Sequence, residues 1–144
     1  MIDAVFGSYS NPLQINGLML RYIDSIEFDY DEEDIFLFLR KQMKIDLDLH
    51  DNLFAETDIN RKPSVLDLRL SYPCRTPNGV IHLRFARGSL NETDALIWET
   101  TVQSAYSIMP QTKNEIEEWV EQAHTLSRTW FFNLIEGDLY RRFE

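Results

Sequence analysis

Leu66-Asp67-Leu68-Arg69-Leu70-Ser71-Tyr72, then Ile81-His82-Leu83-Arg84-Phe85-Ala86, then Leu96-Ile97-Trp98-Glu99-Thr100-Thr101-Val102-Gln103: within these runs apolar side chains recur at every second position. Side chains on a strand point to alternate faces, so a period of two means strands with one face in a core and a more polar face outside. Pro73 to Gly79, with two prolines and Asn78-Gly79, separates the first two runs, and Gly88 to Asp94 separates the next two. Both are turn chemistry, and their shortness predicts an antiparallel meander.

Upstream, Leu18, Leu20, Tyr22, Ile26 and Phe28 share one parity, with Asp24 the interruption, and Arg21, Ser25 and Glu27 take the other beside Met19 and Ile23. This predicts a strand whose second face is partly covered. The acidic run from Tyr30 to Asp34 precedes Ile35-Phe36-Leu37-Phe38-Leu39, and Lys41 and Lys44 follow. Acids at the start and bases at the end complement a helix macrodipole, which predicts a helix over roughly 31–43. Ile45, Leu47 and Leu49 alternate with Asp46, Asp48 and His50 and read as a further half-exposed strand, followed by a polar loop over 55–63.

Downstream, Thr112 and Glu115 form a capping box just after Pro110. Ile116, Trp119, Val120, Ala123, Ser127, Trp130, Phe131 and Leu134 then follow helical spacing up to Gly137, a residue suited to the position after a helix. The expected order is therefore β-α-β-β-β-β-α. That is an α+β domain with an antiparallel sheet of about five strands and a long C-terminal helix, roughly 112–136, across one face. The topology is similar to TATA-binding-protein-like and helix-grip folds, an analogy that carries no function. Residues 1–17, with Gly7, Pro12 and Gly17 among scattered apolar groups, read as an irregular N-terminal arm.

The chain has 144 residues, one domain's worth. Its 44% hydrophobic content excludes a disordered polyelectrolyte, and no run approaches the ~18 apolar residues of a spanning helix. Met1 to Phe6 lacks the basic and apolar regions of a signal peptide, and the lone Cys74 cannot build a disulfide framework or a cysteine-based zinc site. Together these lead us to expect a cytoplasmic protein. A net charge of −10 opposes binding through nucleic-acid phosphates or to anionic membranes.

Leu20-Arg21-Tyr22-Ile23, the acidic-then-apolar helix, Ala95-Leu96-Ile97-Trp98-Glu99 and the long helix with His124 and Phe131-Phe132 before a Tyr/Phe-rich tail resemble a sporadically distributed family of uncharacterised bacterial proteins. The resemblance runs from about Gly17 to the end. It implies that this stretch corresponds to the C-terminal part of longer members, and it brings no catalytic residues with it.

Two constellations carry chemical possibilities. Asp46-x-Asp48-x-His50 puts metal-ligand types on one strand face, but residues four apart along a strand are separated by ~13 Å, too far for one ion, so a solvated face is expected and no metal or cofactor. The polar face of the sheet brings Arg21, Asp67, Arg69, His82, Arg84, Glu99 and Thr101 together if the registers permit. Cross-strand ion pairing, a protein interface and a carboxylate- or phosphate-binding site each account for Arg21, Arg69, His82, Arg84 and Glu99 there. Met19, Ile23, Val65, Val80, Ala86 and Ile97 share that parity, so the face is mixed. No serine or cysteine has a base partner readable from the sequence. The expectation is a non-catalytic interaction or binding module, with a small-molecule-binding or hydrolytic domain as the alternative. Apolar groups in the arm and at Leu139, Tyr140 and Phe143 dock either on the chain's own core or on a partner; a two-fold homodimer is the expected partner arrangement.

Overall fold

A computed structural model describes residues 15–143; most of the arm, 1–14, lies outside the described residues. Four strands, β1 (Met19–Glu27), β2 (Asp67–Arg75), β3 (Asn78–Leu90) and β4 (Thr93–Ser104), form one antiparallel sheet in the order β1-β4-β3-β2. Helix α1 (Ile35–Met43) follows β1, and α2 (Lys113–Ile135) follows β4. The fold is α+β with a long C-terminal helix, as the residue pattern implies.

The strand count differs from the expected five. Segment 45–50 alternates as read, with Ile45 and Leu47 half-buried and Asp46 and Asp48 exposed, yet it joins no ladder. Lys44 adopts a left-handed conformation at the end of α1, and the Ile45 amide donates back to the Leu39 carbonyl at 3.0 Å. Arg40 on α1 then holds Asp46 at 3.0 Å and Asp48 at 3.8 Å, so the extended chain is tied to the helix rather than to a sheet edge. Alternation reports a half-buried extended segment, and a helix surface half-buries one as well as a sheet does.

Helix α1 starts at Ile35, later than 31, because the acidic run forms a turn instead of a first helical turn. Asp29 accepts the amides of Asp31 and Glu32, and Asp34 is the N-cap, accepting from Phe36 at 2.9 Å and Leu37 at 3.3 Å. The capping box of α2 is as expected: Thr112 Oγ1 accepts the Glu115 amide at 3.2 Å, and Glu115 Oε2 accepts the Thr112 amide at 3.2 Å. Gly137, just past α2, has φ +118, a conformation that favours glycine. The C-terminal carbonyls of α2 meet a cation, since Lys44 Nζ donates to the Asn133 carbonyl at 2.5 Å.

The strands run longer than the alternating segments. Pro73 to Arg75 belong to β2, and the turn before β3 is only Thr76-Pro77. Asn91 and Glu92 alone connect β3 to β4, both at positive φ (51° and 66°), as a type I′ hairpin requires. Gly79 sits where a Cβ would fall 2.0 Å from the Gln103 carbonyl oxygen, so β3 and β4 approach closely there.

The even-numbered residues of β1 and β4 and the odd-numbered residues of β3 face the helices. Ile26, Leu96, Trp98, Val102, Ile81, Leu83 and Phe85 join Leu39 and Met43 of α1 and Trp119, Ala123 and Ile135 of α2 in one core cluster. Beyond α2, Leu139 is buried and Phe143 packs edge-on to Trp98 and Phe131, so the aromatic tail docks on the chain's own core. The opposite face of the sheet carries neither helix.

Candidate functional site

The registers assemble the polar constellation on that uncovered face. Ile23, Glu99, Arg84 and Arg69 align across the four strands, and Arg21, Thr101, His82 and Ser71 align in the next row. Arg21 Nη2 donates to Glu99 Oε1 at 2.7 Å, and Arg84 Nη1 lies 3.6 Å from the same oxygen. Arg84 grips Asp67 with two hydrogen bonds, 3.0 and 3.1 Å, and Arg69 does so at 3.1 and 3.2 Å. The result is one ribbon, Arg21–Glu99–Arg84–Asp67–Arg69, spanning β1 to β2. The Arg84 and Arg69 guanidiniums hold the Asp67 carboxyl well below the usual carboxylate range, and Asp67 in turn raises Arg84.

His82 stands apart from the ribbon. Its Nδ1 lies 2.7 Å from Ser71 Oγ and its Nε2 lies 3.1 Å from Gln103 Oε1. An amide oxygen only accepts, so Nε2 carries the proton and Nδ1 accepts the Ser71 hydroxyl. A hollow of about 220 Å³ lies over Ser71, His82, Arg69, Arg84, Glu99 and Thr101. All five residues singled out from the sequence, Arg21, Arg69, His82, Arg84 and Glu99, thus lie on one face. Ser71 and Gln103 complete the histidine's contacts. The partnership of Ser71 with His82 depends on the β2–β3 register, which the sequence leaves unstated, although Ser71 shares the parity of Asp67 and Arg69.

The other constellation does not assemble. Asp46 and Asp48 are engaged by Arg40, and His50 caps a single 3-10 turn, accepting the Asn52 amide at 3.2 Å. Among the described residues, no group of three or more His, Cys, Asp or Glu side chains is arranged to hold a metal ion, and no helix is long and apolar enough to cross a membrane.

On the helix side, Tyr22 and His124 meet across β1 and α2, with Tyr22 Oη 2.5 Å from His124 Nδ1. His124 is therefore a hydrogen-bonded residue at the core edge, though more exposed than its place beside the apolar stripe implies. Known protein families, curated proteins and solved structures yield no match to this chain.

Proposed function

We propose that this chain is a non-catalytic interaction module that pairs with a second copy of itself along the free edge of β1. The observation that carries this reading is the contrast between the two sheet edges. β1 is a nine-residue edge strand with Met19 61% and Ile23 57% exposed on its uncovered face. Its outer edge presents unpaired backbone donors and acceptors among the described residues. β2, the other edge, contains Pro73, which lacks a backbone donor, and carries Asp67, Arg69 and Arg75. Antiparallel pairing of β1 with itself across a two-fold axis at Ile23, the middle of the strand, extends the sheet and sets that exposed residue against its own copy.

The charged ribbon suits a face beside such a seam. Each guanidinium has a carboxylate partner within the chain, three sharing the two carboxylates of Glu99 and Asp67, so Arg21, Arg69, Arg84 and Glu99 can approach a partner without leaving a charge that has no ion pair. The surplus of 24 acidic over 14 basic residues disfavours nucleic acid and anionic membranes as partners. It hinders self-association little, because screening at physiological salt acts within about 8 Å. Cytoplasmic residence and kinship with the sporadically distributed bacterial family belong to the same proposal.

Sedimentation velocity of the full chain at micromolar concentrations tests it. The expected species has twice the 17.0 kDa mass, and Ile23→Lys, a charge on the pairing edge, returns it to monomer with unchanged far-UV circular dichroism. Wild-type protein at 17.0 kDa throughout a concentration series overturns the reading.

One observation favours a second reading, hydrolysis: Ser71, hydrogen-bonded to a histidine whose other nitrogen is fixed, has the arrangement of a base-activated nucleophile. The pair lies in a shallow hollow on an open sheet, where water is not excluded. Labelling by a fluorophosphonate probe that vanishes in Ser71→Ala would favour hydrolysis; the interaction reading expects no labelling.

A further inference from the structure

Position 24 is the polar interruption in the core-facing parity of β1. Asp24 lies opposite Trp98 of β4, between Tyr22 and Ile26, on the side of the sheet that the helices cover. It is half-buried, and it makes no side-chain hydrogen bond and no ion pair among the described residues. Burial alone pushes its carboxyl above the usual range. Facing it across a cavity of about 390 Å³ is α2, which contributes Ser127, His124, Arg128, Phe131 and Phe132. Ser127 Oγ is fully enclosed, the residue being only 3% exposed, and it has no hydrogen-bond partner among the described residues.

The enclosed Ser127 hydroxyl is costly without a partner, and the half-buried Asp24 carboxylate is partly desolvated with no protein donor to compensate among the described residues. A carboxylate can only accept hydrogen bonds, and the serine oxygen, turned toward the cavity by rotation about its Cα–Cβ bond, accepts as well, so both are relieved by one donor that also carries positive charge. The walls agree with a cation. Tyr22, Phe131 and Phe132 present ring surface, and the chain's own Arg128 guanidinium already sits 5.6 Å from the Phe132 ring centre. An anionic ligand meets the Asp24 carboxylate on β1, with the exposed Arg128 the opposing charge on α2, in a molecule whose net charge is −10.

We propose that the cavity between β1 and α2 binds a small primary amine with an apolar or aromatic body, its ammonium group held by Asp24 and Ser127 and its body against Phe131 and Phe132. Arg128 at the rim limits the ligand to a single positive charge. The site lies on the helix side of the sheet and does not depend on pairing through β1.

Titration of the full chain with 2-phenylethylammonium, followed by ¹H–¹⁵N correlation spectra, tests the site. The expected result is saturable shifts centred on the amides of Asp24, His124, Ser127 and Phe132. 3-Phenylpropionate, of similar shape and opposite charge, binds about tenfold more weakly or not at all, since one charge-assisted hydrogen bond accounts for a factor of that order. Asp24→Asn keeps the shape of the side chain and removes its charge; it weakens the amine by about tenfold, with dichroism unchanged. Ser127→Ala, which removes a hydroxyl that supports nothing else, weakens it by a smaller factor. Equal binding of amine and carboxylate probes, an Asp24→Asn protein that binds as well as wild type, or no saturable shifts at ~10 mM amine, far weaker than a specific site should be, overturns the proposal.

Discussion

Replacing Trp98 with alanine removes the largest fully buried side chain of the described residues, 1% exposed and in edge contact with Phe143 at 5.9 Å between ring centres. Large-to-small replacements of a buried tryptophan cost about 3–5 kcal/mol, the sum of lost transfer energy and residual cavity. Trp98 also has a feature that lowers the figure: its indole Nε1 is buried without a hydrogen-bond partner among the described residues. An unmet buried donor costs about 1–3 kcal/mol in the native state, and truncation removes that cost. We therefore expect Trp98→Ala at the lower end, about 3 kcal/mol. Trp98→Phe should cost only about 1 kcal/mol, because the smaller ring loses contacts but no longer buries an N–H. For a chain of 144 residues this corresponds to Tm decreases of about 10 °C and about 3 °C. Urea unfolding followed by far-UV circular dichroism measures both, with Trp119 and Trp130 retained as fluorescent reporters. Equal losses for the two variants would show that the indole N–H contributes a bond. A loss below about 1 kcal/mol for Trp98→Ala would remove Trp98 from the centre of the core.

The remaining predictions concern local chemistry. Thr112→Ala removes the hydroxyl that accepts the Glu115 amide and should lower stability by about 1 kcal/mol in the same urea assay. Glu92→Gly should raise it by about 1 kcal/mol, because the hairpin holds a side-chain-bearing residue at φ 66°. Tyr30, buried and donating to the Ala95 carbonyl at 3.0 Å, has its phenol pushed up to about 12 by burial, with Arg87 opposing. Its folded value exceeds the unfolded value of about 10, so its stabilisation is complete below pH ~10 and is lost as pH rises through about 12. Tyr30→Phe should flatten that alkaline segment of the stability curve. Asp24, also raised, faces Tyr22 on β1 and His124 and Arg128 on α2. With its folded value above the unfolded one, stability falls as pH rises through the folded value, and Asp24→Asn should be more stable than wild type near neutral pH.

Much of this architecture was legible because periodicity reports burial. The parity of Leu66 to Tyr72, Ile81 to Phe85 and Leu96 to Val102 identifies three strands and their core faces, and Thr112 with Glu115 marks the start of α2. Segment 45–50 has the same parity but ends on α1, since the bonds from Arg40 to Asp46 and Asp48 arise from tertiary placement that no period encodes. The ribbon from Arg21 to Arg69 was visible as a shared parity, while its pairings needed the registers. The cavity had a fainter signature. Asp24 breaks the apolar parity of β1, Ser127 sits in the apolar stripe of α2, and His124 adjoins that stripe. Each break reads singly as noise, and only the packing of β1 against α2 sets them around a common space.

Amide hydrogen exchange at two protein concentrations about a hundredfold apart tests most directly whether β1 is the pairing edge. Slower exchange along Met19–Glu27 at the higher concentration, with β2 unchanged, is the predicted result. Identical exchange in β1 at both concentrations, or concentration-dependent protection confined to β2 or α2, would contradict it.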